Sequence, residues 1–240
     1  MELIKFEDFS AFYKLKKEYA VALDKVSFSV HEGEFLVIVG PSGCGKTTLL
    51  KCLLGMCSLT DGNLLFEGED IEKMKIREKN FACVSQEYSL YPQMTVYENI
   101  AFPLRMAHVP HKEVDARVNE IAKQLEIDWL LSRKPKQLSG GQHQRVAIAR
   151  ALVKNPRVVL FDEPFSNMDP ELRLQLRKMV KQIHSEQRPT ILFVTHDLTE
   201  ALMLGERILV MNRGEVMEIG TPEEIEENPQ SEFTRRFFGK

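Results

Sequence analysis

The sequence predicts an α/β protein with a mostly parallel β-sheet and a helical subdomain inserted into the chain. In the second half, apolar segments of strand length alternate with helical segments, a pattern typical of parallel sheets with helical connections. A glycine-rich loop at residues 40–45 joins an early apolar segment to a helix. Between residues 95 and 137, apolar residues recur every three or four positions among charged ones, which indicates helices.

The first third of the chain is predicted to form a mixed sheet around one helix. Apolar and polar residues alternate over 23–30, the chain turns at 32–33, and a continuously apolar segment follows at 35–39. This pattern is typical of an edge hairpin that leads into a buried central strand. Leucines at helical spacing predict a helix over 46–54. The Asp-Gly pair at 61–62 predicts a turn ahead of another strand.

Residues 95–156 are predicted to form the inserted helical subdomain together with the apolar helix that follows residues 138–142. Pro103 and Pro110 interrupt its helical pattern, because proline removes a helical hydrogen bond. Residues 1–94 and 157–240 are expected to form the core together with an antiparallel β subdomain. The whole chain is therefore expected to be one domain.

The last third of the chain returns to the sheet. Apolar segments predict strands at 157–161, 190–195 and 207–211. Between these strands, helices are predicted at 170–185 and 198–204. A hairpin turn and two short helices are predicted after them, at 212–214, 222–227 and 231–238.

Composition limits the classes of partner. Lys plus Arg is 32 and Asp plus Glu is 35, a net charge of −3, so we expect no broad basic surface for nucleic acid. The longest apolar runs, such as 35–39, are far shorter than the roughly 20 residues that span a bilayer. The N-terminus has no charged-then-apolar signal. We therefore expect a cytosolic chain without a membrane anchor of its own.

The cysteines show no zinc-binding or disulfide pattern. Their spacing contains no C-x-x-C pair, and no matching pair of histidines accompanies them. We expect reduced thiols at Cys44, Cys52, Cys57 and Cys83.

The glycine-rich loop fits the phosphate-binding pattern G-x-x-x-x-G-K-[ST]. Its residues are Gly40, Pro41, Ser42, Gly43, Cys44, Gly45, Lys46 and Thr47. Glycines let backbone N–H groups close around phosphate oxygens, and the following helix N-terminus adds positive potential. Lys46 is expected to reach the β and γ phosphates, and the Thr47 hydroxyl is expected to hold Mg²⁺.

Two consecutive carboxylates end the apolar strand predicted at 157–161. Asp162 and Glu163 would therefore lie at the carboxyl edge of the sheet, where α/β proteins bind ligands. Asp162 is expected to be a second partner of Mg²⁺. Because consecutive strand residues point in opposite directions, Glu163 is free to polarise a water that attacks the γ phosphate.

A second anion-binding helix N-terminus is predicted at residues 138–142. Its sequence, Leu-Ser-Gly-Gly-Gln, precedes an apolar helix. One nucleotide does not need two such cradles, so a second chain is expected to complete each site. His196 and Gln86 also follow predicted strands and could point at a γ phosphate, although a histidine or glutamine in a loop often has no such role.

These motifs together resemble the ATPase subunits of ABC transporters along nearly the whole chain. The matching residues are GPSGCGKTT at 40–48, Gln86, LSGGQHQR at 138–145, VVLFDEP at 158–164, Ser166-Asn167-Met168-Asp169 and His196. The resemblance implies a P-loop NTPase with a RecA-like core, an antiparallel β subdomain and an inserted helical subdomain. The departures are small: Met168 replaces a more usual leucine and His143 a more frequent glutamine.

The resemblance also implies roles for single residues. ATP would lie between the phosphate loop of one copy and Ser139, Gly140 and Gly141 of a second copy, in a homodimer. Glu163 would be the catalytic base, His196 would stabilise the transition state, and Gln86 would link Mg²⁺ and water to membrane subunits. Metal ligands would be Thr47, Asp162 and Gln86, and the nucleotide-binding set would also include Thr48, Gln142 and Asp169.

An aromatic residue near the N-terminus stacks on adenine in this family. Tyr13 is expected to do so, because it precedes the first predicted hairpin strand at about the usual place. Phe12 and Tyr19 remain alternatives.

Two segments resemble bacterial importers in particular, 101–110 and 220–229. The partners implied are transmembrane permease subunits and, indirectly, a solute-binding protein, with the chain peripheral on the cytoplasmic face of the membrane. A groove beside Gln86, near Tyr88, Leu90, Tyr91 and Pro92, would receive a helix of each permease subunit. The alternative is that these residues only pack against the helical subdomain. Sugar-type members usually continue into a C-terminal regulatory domain, and we expect none here.

The sequence argues against three other classes of protein. A soluble ABC ATPase of DNA repair or translation usually has a coiled-coil insertion or two cassettes, and this sequence has neither. A simple P-loop kinase has no use for the 138–142 motif. A cassette that binds ATP without turnover would be expected to lack Glu163 or His196, and both are present.

Overall fold

The computed structural model describes residues 1–15, 18–57, 60–86, 89–166 and 168–239. These residues form two β-sheets with helices around them. The strands are β1 (Glu2–Leu15), β2 (Glu18–His31), β3 (Phe35–Val39), β4 (Thr60–Phe66), β5 (Glu69–Asp70), β6 (Phe81–Val84), β7 (Val158–Asp162), β8 (Thr190–Thr195), β9 (Arg207–Asn212) and β10 (Glu215–Gly220). The helices are α1 (Lys46–Leu53), α2 (Ile76–Lys79), α3 (Val96–Met106), α4 (His111–Gln124), α5 (Gly140–Leu152), α6 (Pro170–Gln187), α7 (Leu198–Leu204), α8 (Pro222–Glu227) and α9 (Glu232–Phe237). Within those described ranges, no helix is both long and apolar enough to cross a bilayer.

The larger sheet follows the order β10-β9-β3-β8-β7-β6 and is parallel except for the β9–β10 hairpin. Its central strand, β3, is completely buried because alternate residues face two separate cores. Phe35, Val37 and Val39 pack toward α5 and α6, whereas Leu36 and Ile38 pack toward α1 and the second sheet. This explains the continuously apolar sequence of the strand. The parallel sheet predicted from the sequence is present.

The second sheet is antiparallel, in the order β2-β1-β4-β5. Here the predicted hairpin within residues 23–39 is wrong in its pairing. β2 pairs with β1, and the turn after His31 carries the chain into the larger sheet, where β3 pairs with β8 and β9. The apolar residues of β2 and β3 thus belong to different sheets, although Leu36 and Ile38 share a core with β2.

The turn expected at residues 61–62 lies inside β4. The register of β4 against β1 shifts between Glu7 and Ser10, which marks a β-bulge. Gly62 has φ +79°, and a Cβ there would overlap the Asp8 carbonyl. The Asp-Gly pair therefore bends a strand rather than ending one.

The helical subdomain contains α3, α4 and α5, which pack on one another. Pro103 lies inside α3 instead of interrupting it, while Pro110 is the N-cap of α4. α3 continues through its proline because Thr95 and Glu98 form a capping box and because Ile100 is fully buried. The free energy from capping and burial offsets one lost hydrogen bond.

The expectation that all cysteines are reduced thiols is wrong for one pair. The structure joins Cys52 and Cys57 in a disulfide, whereas Cys44 and Cys83 are free. α1 ends at Leu53, and Gly55 then adopts φ +73° and reverses the chain. The Cα atoms of the pair come within 5.0 Å, a normal distance for a disulfide.

Candidate active site

The phosphate loop connects the end of β3 to the start of α1, and its glycines are required by close backbone packing. Gly40 has φ +156°, and a Cβ there would overlap the Met211 carbonyl oxygen. Gly45 has φ +108°, and a Cβ there would lie 2.5 Å from the Ala22 carbonyl oxygen. Neither position can carry a side chain without moving a neighbouring backbone segment.

Two distant segments hold this loop in place. The Gly214 N–H donates to the Cys44 carbonyl at 2.9 Å, and the Asp24 N–H donates to the Gly214 carbonyl at 2.9 Å. Cys44 itself is buried, and this burial raises the pKa of its thiol. Cys44 therefore packs inside the loop as a neutral thiol.

The Lys46 ammonium lies at the centre of the loop. Its Nζ donates to the carbonyl oxygens of Gly40, at 2.8 Å, and Pro41, at 3.0 Å. The residue is buried, so its charge is directed into the loop rather than into solvent. A phosphate oxygen inside the loop would meet this charge directly.

Thr47 and Asp162 come together at the base of the loop. The Thr47 hydroxyl donates to Asp162 Oδ1 at 2.9 Å. Burial raises the pKa of Asp162, and Thr47, Lys51 and Lys46 partly oppose this increase. Hydroxyl and carboxylate oxygens are ligands that suit Mg²⁺, which also keeps waters and substrate phosphates in its shell. The pair therefore fits the predicted Mg²⁺ site.

Glu163 and His196 lie against each other beside this pair. Glu163 Oε2 and His196 Nδ1 are 3.0 Å apart. Glu163 has φ +45°, in the left-handed region, and its N–H donates to the Val194 carbonyl at 3.0 Å. This backbone turns the Glu163 side chain away from the direction that the β7 strand would give it.

Gln86 reaches the same region from the end of β6. Its Nε2 donates to Ser166 Oγ at 3.3 Å, and Ser166 Oγ donates to the Glu163 carbonyl at 3.1 Å. Gln86 is therefore linked to the segment after β7. Two residues named in the sequence analysis, Asn167 and Tyr88, lie outside the described residues.

A cleft of about 340 Å³ contains the loop and the first aromatic candidate. Its lining includes Tyr13, Ser42, Gly43, Gly45, Lys46, Thr47, Thr48 and Glu163. The Tyr13 hydroxyl lies 3.2 Å from Thr48 Oγ1. Tyr13 belongs to β1 itself, rather than preceding the first hairpin strand, and pairs with Ala20 of β2. Phe12 and Tyr19, both described, do not line this cleft.

A larger cleft of about 510 Å³ lies elsewhere, between α4 and the starts of β7 and β8. It contains none of the predicted site residues, and the carboxyl edge of a parallel sheet is where ligands bind. The smaller cleft is therefore the candidate active site.

Residues 139–142 do not line this candidate cleft of their own chain. Ser139 is the N-cap of α5, and its side chain forms a capping box with Gln142. A Cβ on Gly141 would lie 2.5 Å from Leu172 Cδ2 of α6, whereas one on Gly140 would meet nothing within 4 Å. Asp169 is the N-cap of α6 and is also outside the cleft lining.

A buried ionic network beneath His196 was missed by the sequence analysis. Arg177 donates to Asp197 Oδ2 at 2.7 Å and to Glu200 Oε1 at 2.9 Å. Arg173 donates to the same Asp197 oxygen at 3.0 Å. The only sequence signal was the spacing, since two arginines four residues apart share one face of a predicted helix.

Comparison with known proteins decides the family. A model described as "ABC transporter" matches residues 23–166. The chain belongs to the ABC transporter family. A structure of a dimeric ATP-binding cassette in a post-hydrolysis state, with ADP and phosphate bound, is 33% identical and has a TM-score of 0.82, covering 92% of this chain and 99% of that chain. CbiO1 of Clostridium perfringens, part of an ABC transporter complex, is 28% identical with a TM-score of 0.83, covering 93% and 90%.

Curated ABC proteins are also similar. An sn-glycerol-3-phosphate import ATP-binding protein of Psychromonas ingrahamii is 45% identical over 91% of this chain and 58% of its own length. A sulfate/thiosulfate import ATP-binding protein of Pseudomonas aeruginosa is 43% identical over 91% of this chain and 68% of its own length. The chain thus spans less than two thirds of the length of several of these ABC relatives.

The ABC family and the predicted fold class are therefore confirmed. The limits of the subdomains and the roles of single residues in this ABC protein stay predictions.

Proposed function

We propose that the chain is the ATP-binding and ATP-hydrolysing subunit of an ABC transporter. The observation that carries this proposal is one cleft lined by the phosphate loop and Glu163. Thr47 of this loop bonds to Asp162, and Glu163 contacts His196. These are the three parts that phosphoryl transfer to water requires: a phosphate cradle, metal ligands and a group that orients the nucleophile.

Binding starts with the triphosphate in the loop. Backbone N–H groups at the start of α1 surround the phosphates, and the Lys46 ammonium neutralises the β and γ oxygens. The Tyr13 ring lies in the same cleft and stacks on adenine. Thr47, Asp162 and Gln86 hold Mg²⁺, which neutralises phosphate charge when bound.

Hydrolysis needs a water aligned with the γ phosphate. The Glu163 carboxylate accepts a hydrogen bond from this water and takes up its proton, the water oxygen bonds to phosphorus, and the bond to the β–γ bridging oxygen breaks. The products are ADP and phosphate. His196, 3.0 Å from Glu163, is placed to stabilise the charge that builds up on the γ oxygens.

A second copy of the chain completes each site. Residues 139–142 form a helix N-terminus that does not line the chain's own cleft. In a head-to-tail homodimer, Ser139, Gly140 and Gly141 contact the γ phosphate of the ATP held by the partner. Gln142 and Asp169 also belong to this nucleotide-binding site. Two ATP molecules then lie in the interface, and their hydrolysis releases it.

The task served by this cycle is transport, most simply import. Several relatives at 43–46% identity are named as import ATP-binding proteins. The partners are transmembrane permease subunits, with a solute-binding protein acting through them, and the chain sits on the cytoplasmic face of the membrane. The segment after Gln86, which includes Leu90, Tyr91 and Pro92, is the proposed contact with the permease.

A pull-down tests the transport role. A tagged Glu163→Gln variant with ATP is incubated with detergent-solubilised native membranes, and the recovered chains are identified by mass spectrometry. A tagged Lys46→Ala variant, which should not hold ATP, is the matched control. Polytopic membrane subunits enriched over the control support the transporter. Enrichment of only ribosomal or DNA-repair proteins would overturn transport while leaving the ATPase site intact.

A further inference from the structure

Arg173, near the start of α6, connects two loops of the active site. Its Nη1 donates to Asp197 Oδ2 at 3.0 Å, and its Nη2 donates to the Met168 carbonyl at 3.2 Å. Met168 precedes Asp169, which we propose faces the second copy of the chain. Asp197 follows His196 directly. One planar side chain therefore spans the segment nearest the partner and the loop that carries His196.

Asp197 is held so firmly that its neighbour must follow it. Its Oδ1 accepts from the Thr199 and Glu200 N–H groups, which caps α7, while Oδ2 accepts from Arg173 and Arg177. Its own N–H donates to Thr195 Oγ1 at 3.0 Å. The peptide bond between His196 and Asp197 thus belongs to a hydrogen-bonded frame, and a movement of Asp197 moves His196.

The other end of the same segment is tied to Glu163. Ser166 Oγ donates to the Glu163 carbonyl and receives a hydrogen bond from Gln86. Ser166 is therefore tied to the Glu163 backbone, and Met168 is tied through Arg173 to the loop that carries His196.

We propose that Arg173 is a positioning residue. Through Arg173, the position of the Met168 carbonyl determines the position of His196 relative to Glu163. When the partner copy contacts Asp169, the shift of this carbonyl passes through Arg173 to Asp197 and His196. The inference rests on the proposed roles of His196 and of the homodimer, and it adds a route by which dimer closure switches on hydrolysis.

The chemistry of arginine suits this task, and its neighbour on α6 does not share it. A guanidinium presents donors in a fixed fork, so two nitrogens can hold two acceptors at a set separation. Arg177, one turn later, is 7% exposed and donates to Asp197 and Glu200 alone among the described residues. Arg177 fastens α6 to α7, whereas Arg173 additionally reaches the Met168 carbonyl.

The first test compares three variants on the same helix. Arg173→Lys keeps the charge but cannot hold both acceptors, Arg173→Met removes both hydrogen bonds, and Lys178→Met removes an exposed charge one turn away. For both Arg173 variants, kcat of ATP hydrolysis should fall about tenfold or more, the rate equivalent of a lost charged hydrogen bond. KM for ATP, the melting temperature and the Lys178→Met control should change little. Full activity in Arg173→Lys, or a kcat loss that only tracks a lower melting temperature, would overturn the proposal.

A double-mutant cycle with His196→Ala tests the route itself. Hydrolysis is followed as single turnover, so that slow variants can be measured. If Arg173 acts through His196, adding Arg173→Met to His196→Ala should cost less than twofold beyond His196→Ala alone. Fully additive losses would overturn the positioning role while leaving the role of His196 intact. Normal hydrolysis in His196→Ala would overturn both, since Arg173 would then have nothing to position.

Discussion

Glu163, the proposed catalytic base, has a backbone conformation that a glutamate rarely adopts. A non-glycine residue in the left-handed region costs on the order of 1–2 kcal/mol. The conformation persists because the Glu163 N–H bonds to the Val194 carbonyl and the carboxylate contacts His196. The strain therefore serves to aim one carboxylate at the cleft while Asp162 remains with Thr47.

Glu163→Gln tests the proposed base. The amide keeps the shape and can still bond His196, but it cannot take a proton from water, so single-turnover hydrolysis should fall about 10²- to 10⁴-fold. ATP affinity should be retained, because the phosphate loop is unchanged. Glu171→Gln, an exposed acid in the first turn of α6, is the control and should hydrolyse normally. Normal turnover in Glu163→Gln would refute the role of Glu163 as base.

His184 should make folding stability depend on pH. Its Nε2–H donates to the Gly33 carbonyl at 2.9 Å, and its ring contacts Phe35. Burial lowers the pKa of His184, with Gly33 and Glu206 opposing and Arg188 reinforcing the change. Below about pH 6.5 the unfolded chain takes up a proton that the folded chain resists, so the free energy of unfolding falls on acidification.

The measurement is the melting temperature from pH 7.5 to 5.5. His184→Gln, which keeps a donor for Gly33, should lose less stability over this interval than the wild type. His108→Asn, at an exposed position, is the control and should follow the wild type. The role of His184 is excluded if the His184→Gln and wild-type curves stay parallel.

At this scale the sequence predicted residues whose partners are local or whose spacing is diagnostic. Lys46 and Thr47 follow from one loop motif, and Asp162 and Glu163 follow from the end of a strand. The link that Arg173 makes between Met168 and Asp197 could not be predicted. It depends on how α6 lies against the loop of Asp197, which is more than twenty residues further along the chain. The Cys52–Cys57 pair was missed because it depends on a reversal after α1.

Helix α6 is fastened to α7 by a buried ion pair. Arg177 and Glu200 are 7% and 3% exposed, and two guanidinium nitrogens donate to the same Glu200 oxygen. Breaking such a pair from one side leaves a buried charge without a partner. α7 follows the loop of His196, so this fastening also keeps the active site in place.

Arg177→Met should lower the free energy of unfolding by about 3–5 kcal/mol, as expected for a buried carboxylate left unpaired. Urea unfolding at neutral pH measures it. Adding Glu200→Gln should recover part of the loss, because the uncompensated charge is then removed. Lys178→Met, exposed on the same helix, should change stability by less than about 0.5 kcal/mol. A loss of that small size in Arg177→Met would contradict the structural role.

Elements with an unbroken pattern were predicted to within one or two residues of their ends, and elements with interruptions were not. β8 and α7 occupy the predicted residues 190–195 and 198–204. β1 was missed because its register shifts repeatedly between Phe6 and Phe12, which moves successive apolar residues off a strict alternation. These bulges cannot be recognised without the partner strand.

At the scale of the whole molecule, each ATP site is proposed to need two copies of the chain. Lys46→Ala disables the phosphate loop of its own copy. Gly140→Asp puts a carboxylate where the partner's γ phosphate should lie, and in the free chain that side chain has open space. Each variant alone should therefore fold normally and lack ATPase activity.

Mixing the two variants tests the composite site. A heterodimer has one intact site, made from Lys46 of one copy and Gly140 of the other. An equal mixture should recover roughly a quarter of the wild-type sites, because about half of the dimers are mixed and each has one good site of two. Circular dichroism and melting temperature check that both variants are folded. An inactive mixture of folded variants would show that the site does not combine two chains.

The parallel sheet could be predicted from alternating strands and helices, but its strand order could not. β3 lies between β9 and β8, which are more than 150 residues further along the chain. The sequence pattern says that β3 is buried on both faces and does not say which strands flank it.

The phosphate loop is closed by residues from both ends of the sequence, and this has a consequence for synthesis on the ribosome. Ala22 and Gly214 enclose Gly45, and Met211 encloses Gly40. A nascent chain that has emerged only as far as α7 already contains the whole loop motif, Asp162 and Glu163. Its loop still lacks the contacts with Met211 and Gly214. The growing polypeptide should therefore acquire nucleotide only after residue 214 has left the exit tunnel.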